Sequence, residues 1–174
     1  INDDTNTAMR GAYVYVMLNN GTTTVYRYSV DGNSWSTMAT TPQASRYMGL
    51  TYNASDDKIY VFRGNGTYDM WKYDAALNSY SGPADLTTAP GSGADLVYYN
   101  GYIYQPRGNN TTTFYRYNVT ANTWESLANA PASFNDDTTG VVAGAYLYFY
   151  RGSSTTTFYR YDPAANTWAT MAVT

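Results

Sequence analysis

Three observations predict an all-β chain built from four copies of one antiparallel unit. First, residues 109–124 (NNTTTFYRYNVTANTW) and 153–168 (SSTTTFYRYDPAANTW) agree at eleven of sixteen positions. Further copies stand at 20–35 (NGTTTVYRYSVDGNSW) and, more divergent, at 65–80 (NGTYDMWKYDAALNSY). Second, the register is tight. Tyr28, Tyr73, Tyr117 and Tyr161 recur at steps of 45, 44 and 44, each followed seven residues on by Trp35, Tyr80, Trp124 or Trp168. Nine residues before each Tyr stands Asn19, Gly64, Gly108 or Gly152. Third, the pattern inside each unit has period two and is rich in β-branched and aromatic residues, which specifies strands rather than helices.

The last unit shows each element in order. Strands are predicted over 138–143, 145–151, 156–162 and 167–171. Turn chemistry separates the strands along the chain: Asn100-Gly101, Gly64-Asn65-Gly66 and Asp162-Pro163. The second strand, AYLYFY (145–150), is apolar on both faces, so both faces must be covered. Short four-stranded sheets sandwiched between their neighbours, at a period in the forties, predict a β-propeller. The chain divides into a single domain of four blades, near 1–42, 43–90, 91–131 and 132–174.

The apolar strand, the small residue at its end, the Tyr, the Trp seven residues later and the Pro-containing links (residues 39–42 and 128–131) resemble the kelch repeat. The resemblance covers all four units. Kelch blades usually end their second strand in a glycine pair; here Arg63, Arg107 and Arg151 replace the first glycine, and the first unit has Leu18-Asn19. The resemblance implies a face of loops that binds proteins or sugars. Kelch rings usually have six or seven blades, so four blades are expected to be part of a longer array, half of a two-chain ring or one unit of a filament; an otherwise open apolar sheet favours self-association.

Composition removes several functions. Charged residues make up 13% of the 174, with net charge −3, which argues against nucleic acid. There is no cysteine and no histidine, hence no disulfide, thiolate nucleophile, imidazole base or copper site of the galactose oxidase kind. The longest apolar run, residues 140–150, is too short to span a bilayer. Glu125 is the sole Glu, so a glycosidase pair would have to come from two groups of Asp. The 21 tyrosines among Thr, Asn, Ser and Gly point to a secreted or cell-surface chain. The expectation is a non-catalytic scaffold or adhesion module. A glycan-binding lectin is the alternative, and a sialidase-like enzyme a distant third.

Four sets of residues are candidates for sites. The loops between the second and third strands present Asn65, Asn109, Asn110, Ser153 and Ser154, suited to hydrogen-bonding a glycan. Asn2-Asp3-Asp4-Thr5 recurs as Asn135-Asp136-Asp137-Thr138; if blade four closes on blade one, Asp3, Asp4, Asp136 and Asp137 offer hard oxygens for calcium. No other cofactor is expected. Six N-x-S/T sequons, at Asn20, Asn53, Asn65, Asn109, Asn110 and Asn118, are candidate glycosylation sites. Seven of the ten basic residues are periodic: Arg63, Arg107 and Arg151, then Arg27, Lys72, Arg116 and Arg160. They form either a ring around a central anion or blade-packing contacts to Tyr and Asp, and repetition in every blade favours packing.

Overall fold

The computed structural model describes residues 5–18, 21–64 and 66–172. It is a four-bladed β-propeller, with no helix among the described residues. Blade one comprises β1 (Asn6–Arg10), β2 (Tyr13–Met17), β3 (Val25–Ser29) and β4 (Ser34–Thr37). Blade two comprises β5 (Gly49–Asn53), β6 (Lys58–Phe62), β7 (Met70–Asp74) and β8 (Ser79–Ser81). Blade three has β9 (Val97–Tyr99), β10 (Tyr102–Pro106), β11 (Phe114–Asn118) and β12 (Thr123–Ser126). Blade four has β13 (Thr139–Ala143), β14 (Tyr146–Tyr150), β15 (Phe158–Asp162) and β16 (Thr167–Thr170). Every blade is an antiparallel sheet with its strands in sequence order. The strands expected in the last unit lie within two residues of those observed.

Period two sends alternate side chains to opposite neighbours. We call the side of a blade toward its predecessor the rear and the side toward its successor the front. On β6, Ile59 and Val61 join Trp71 and Tyr73 in packing rearward on Tyr15, Met17 and Val25 of blade one. The alternate residues Tyr60 and Phe62, with Met70, pack forward on Leu96, Ile103 and Tyr117 of blade three. At the third junction Tyr104 and Phe114 meet Leu147, Phe149, Tyr159 and Tyr161, with Phe134 of the link wedged among them. Phe114 and Phe149 are fully buried, their rings 5.5 Å apart at 82°. Burial on that scale stabilises by roughly 1.5–3 kcal/mol per side chain.

The glycine that follows the second strand of blades two, three and four has a steric cause. Gly64, Gly108 and Gly152 hold φ of 69°, 70° and 74°, and an added Cβ would lie 1.9–2.3 Å from the carbonyl oxygens of Arg46, Ser92 and Asp136. Each strand therefore ends against the link that enters its own blade, and only glycine fits there.

Candidate functional site

The periodic arginines sort into two structural roles. Arg63, Arg107 and Arg151 donate through Nε to the link carbonyls of Ala44, Ala89 and Ser133, at 2.9, 3.3 and 2.8 Å. Arg63 also pairs with Asp69 at 2.8 Å. Arg27, Arg116 and Arg160 stack their guanidinium groups on Tyr13, Tyr102 and Tyr146, 4.3–4.7 Å from the ring centres. Arg116 is further held by Glu125 at 2.5 Å, which raises its already high pKa. These cations tie strands and links together instead of gathering at the axis.

The axis holds a polar cavity of about 460 Å³ whose wall draws on all four blades, including Thr5, Asn6, Tyr47, Met48, Asp136 and Asp137. Asp3 and Asp4 lie outside the described residues. Among the described residues no three acidic side chains cluster to hold a metal ion, and calcium takes six to eight oxygens. Asp137 has a conformational reason for its place. Counted back from strand one, it is equivalent to Tyr47 and Gly93, and all three are left-handed, with φ of 63°, 53° and 75°. Asp and Gly tolerate that region well, whereas a tyrosine there is strained. Tyr47 is 43% exposed at the cavity wall.

The loop residues read as a glycan face are also set by backbone geometry. Asn109, Asn110, Ser153 and Ser154 occupy consecutive left-handed positions, φ 52–57°, as a tight two-residue hairpin turn requires. Their backbones grip the neighbouring link: Asn109 N donates to Ser92 O, Asn110 N to Phe134 O and Ser153 N to Asp136 O. Asn109, Asn110 and Ser154 leave their side chains exposed. Asn65 and Asn20 lie outside the described residues. Asn53 is 1% exposed and accepts the N–H of Ser55, so the carrier of that sequon is buried. Asn118 shapes its own turn by accepting from the N–H groups of Thr120 and Ala121.

Sequence reasoning passed over one constellation. Tyr28, Tyr73, Tyr117 and Tyr161 donate their hydroxyls to Asn33, Asn78, Asn122 and Asn166, at 2.6–2.8 Å. In three blades the same Asn oxygen also accepts a backbone N–H from the preceding blade: Ala39 to Asn78, Ala84 to Asn122 and Ala128 to Asn166. Trp124 and Trp168 complete the clamp by donating Nε1 to the carbonyls of Ala84 and Ala128, at 3.1 and 2.9 Å. Tyr80, in place of Trp, leaves its buried hydroxyl without a partner. The signal was present, since an Asn precedes every one of these Trp or Tyr residues by two positions. It reads as a turn residue because each of these Asn is left-handed.

Among the described residues, three junctions are filled. No cluster of buried residues joins blade four to blade one among the described residues. On the rear of blade one, Val14, Val16, Tyr26 and Tyr28 are half-buried and Trp35 is 60% exposed. On the front of blade four, Tyr148 and Phe158 are half-buried, Tyr150 is 37% exposed and Val141 57% exposed. Among the described residues, these two aromatic faces lack the packed neighbour that the equivalent faces of the other blades have.

A smaller recess of about 340 Å³ lies between blades three and four, lined by Tyr99, Tyr102, Tyr104, Tyr146, Arg116 and Asp162 among others. Among the described residues no helix is long and apolar enough to cross a membrane. No model of a known protein family matches the chain, and no curated protein matches it either.

Proposed function

We propose that the chain is a non-catalytic, kelch-like extracellular module that serves as a scaffold or adhesion element joined to others through its blade faces. The open aromatic faces of blades one and four carry this reading, because water contact with side chains of that size is unfavourable. The use of the periodic cations supports it. Arginines that bind link carbonyls, tyrosine rings and acids serve blade geometry rather than a substrate. The charge-poor, Thr-, Asn- and Tyr-rich composition supports placement outside the cell. Electron microscopy of the purified chain at rising concentration tests the proposal. Particles of more than one chain are expected; single-chain particles at every concentration would overturn it.

One observation favours a second reading, glycan binding. The smaller recess gathers the half-buried Tyr99, Tyr102 and Tyr146 beside Arg116 and Asp162, aromatic and polar groups of the kinds that contact a sugar ring and hydrogen-bond its hydroxyls. Titration with an oligosaccharide panel checks this reading. Binding that is lost in Tyr146→Ala supports it, and a panel with no binder contradicts it.

A further inference from the structure

We infer that the rear of blade one and the front of blade four are the two halves of one junction, made head-to-tail with a second copy of this chain. The inference rests on the scaffold reading and specifies its contact. The chain contains the same junction three times, so both halves can be compared with filled examples. Ladder pairing places Val14, Val16, Tyr26, Tyr28 and Trp35 of blade one where blade four has Leu147, Phe149, Tyr159, Tyr161 and Trp168. The second set is packed against blade three. Likewise Val141, Tyr148, Tyr150 and Phe158 stand where blade three has Val97, Tyr104, Pro106 and Phe114, all of them buried.

The polar clamp identifies the occupant more narrowly than apolar surface does. Blade one carries a complete clamp, with Tyr28 already donating to Asn33 at 2.8 Å and Trp35 beside Tyr28 at 5.0 Å. Its counterpart is a backbone N–H and C=O held in the geometry of Ala39, Ala84 and Ala128. Blade four ends on that element. Met171 N donates to Phe158 O just as Leu127 N donates to Phe114 O and Met38 N to Val25 O, which places Ala172 at the clamped position. Ala172 is exposed. In the assembled pair, Ala172 N of one copy donates to Asn33 Oδ1 of the next, and Trp35 Nε1 donates back to the Ala172 carbonyl. An unrelated partner would need to reproduce both the aromatic face and the peptide group, whereas a second copy already carries them. The contact is heterologous, so it closes into a ring or extends according to the rotation between copies.

Complementation tests the pairing. Trp35→Ala disables the rear of blade one, and Tyr148→Asp disables the front of blade four. Both lie on open faces, and thermal melts check that each variant folds. Sedimentation velocity of the unmodified chain should show multimers. Each variant alone should sediment as a single chain, its association weakened at least tenfold. An equimolar mixture should form a 1:1 pair, because each variant retains the half that the other lacks. Multimers that persist in both variants would overturn this junction while leaving the scaffold reading in place. An unmodified chain that stays single at all concentrations would overturn both. Variants that are each single but do not pair when mixed would overturn the head-to-tail arrangement.

Discussion

Trp168 and Trp35 occupy equivalent positions on the outermost strands of blades four and one, in different surroundings. Trp168 packs on Phe114, Phe134, Phe149, Tyr159 and Tyr161 and donates to Ala128. Trp35 meets only Tyr26 and Tyr28 among aromatic rings and is 60% exposed. A blade's side chains are thus set by its own sequence, but their energetic worth depends on the neighbour. The same residue is core in one place and an unfilled contact in the other.

The largest break in this comparison comes from deleting the two rings. Trp168→Ala should destabilise by about 3–5 kcal/mol in urea unfolding, because it opens a cavity in a packed junction. Trp35→Ala, measured at dilution, should cost about 1 kcal/mol or less, since little packing is lost there. Comparable losses would show that the rear of blade one is covered within the single chain.

A second comparison uses the clamp. Asn166→Ala removes the acceptor for both the Tyr161 hydroxyl and Ala128 N, and should cost about 2–3 kcal/mol. Asn33→Ala removes only the acceptor for the Tyr28 hydroxyl at an exposed site, and should cost about 1 kcal/mol under the same dilute conditions. Both variants place Ala at a left-handed position, so that penalty cancels between them.

The smallest expected effect concerns pH and contrasts two carboxylates. Burial lifts Asp95, at the junction of blades three and four, to about 6, opposed by N–H donation from Gly140 and Leu96. Hydrogen bonds from Arg10 and Tyr52 hold Asp57 down at about 2. A raised folded pKa gives stability that is present below the unfolded value and lost as pH rises through the folded one; a lowered pKa does the reverse. Stability should therefore rise from pH 7 to about pH 4.5, by about 1–3 kcal/mol at most. It should then fall below about pH 4 as Asp57 is protonated. Asp95→Asn should flatten the upper limb in a series of melts at stepped pH and leave the lower limb intact. An unchanged upper limb would remove Asp95 as its cause.

The blades were legible because the repeat is written at a constant register: Gly (Asn in the first unit), then Tyr nine residues on, then Trp or Tyr after seven more. The link contacts of Arg63, Arg107 and Arg151 were legible only as periodicity, since a carbonyl partner has no sequence signature. The turn residues 54–57 show a different limit. A longer hairpin reads as tolerance of insertion, yet Asp57 holds Arg10 of blade one and Ser55 Oγ lies 2.7 Å from the Tyr98 hydroxyl of blade three. Its length braces both neighbours. Asp95 gave no signal, because its repeat equivalents are Asn6, Gly49 and Thr139, which carry no charge. Asp136 and Asp137 drew notice as acids in a repeated motif, whereas the strained Tyr47 on the same cavity wall did not, since backbone conformation at a single tyrosine leaves no mark in composition.

The most direct test of the unfilled junction is solvent exchange of the Trp35 indole N–H, followed by NMR as concentration rises. The account predicts fast exchange in the dilute chain. Protection should approach that of the Trp124 and Trp168 indoles as copies meet and the Ala172 carbonyl becomes the acceptor. A Trp35 indole that exchanges at the solvent rate in samples already assembled would contradict it.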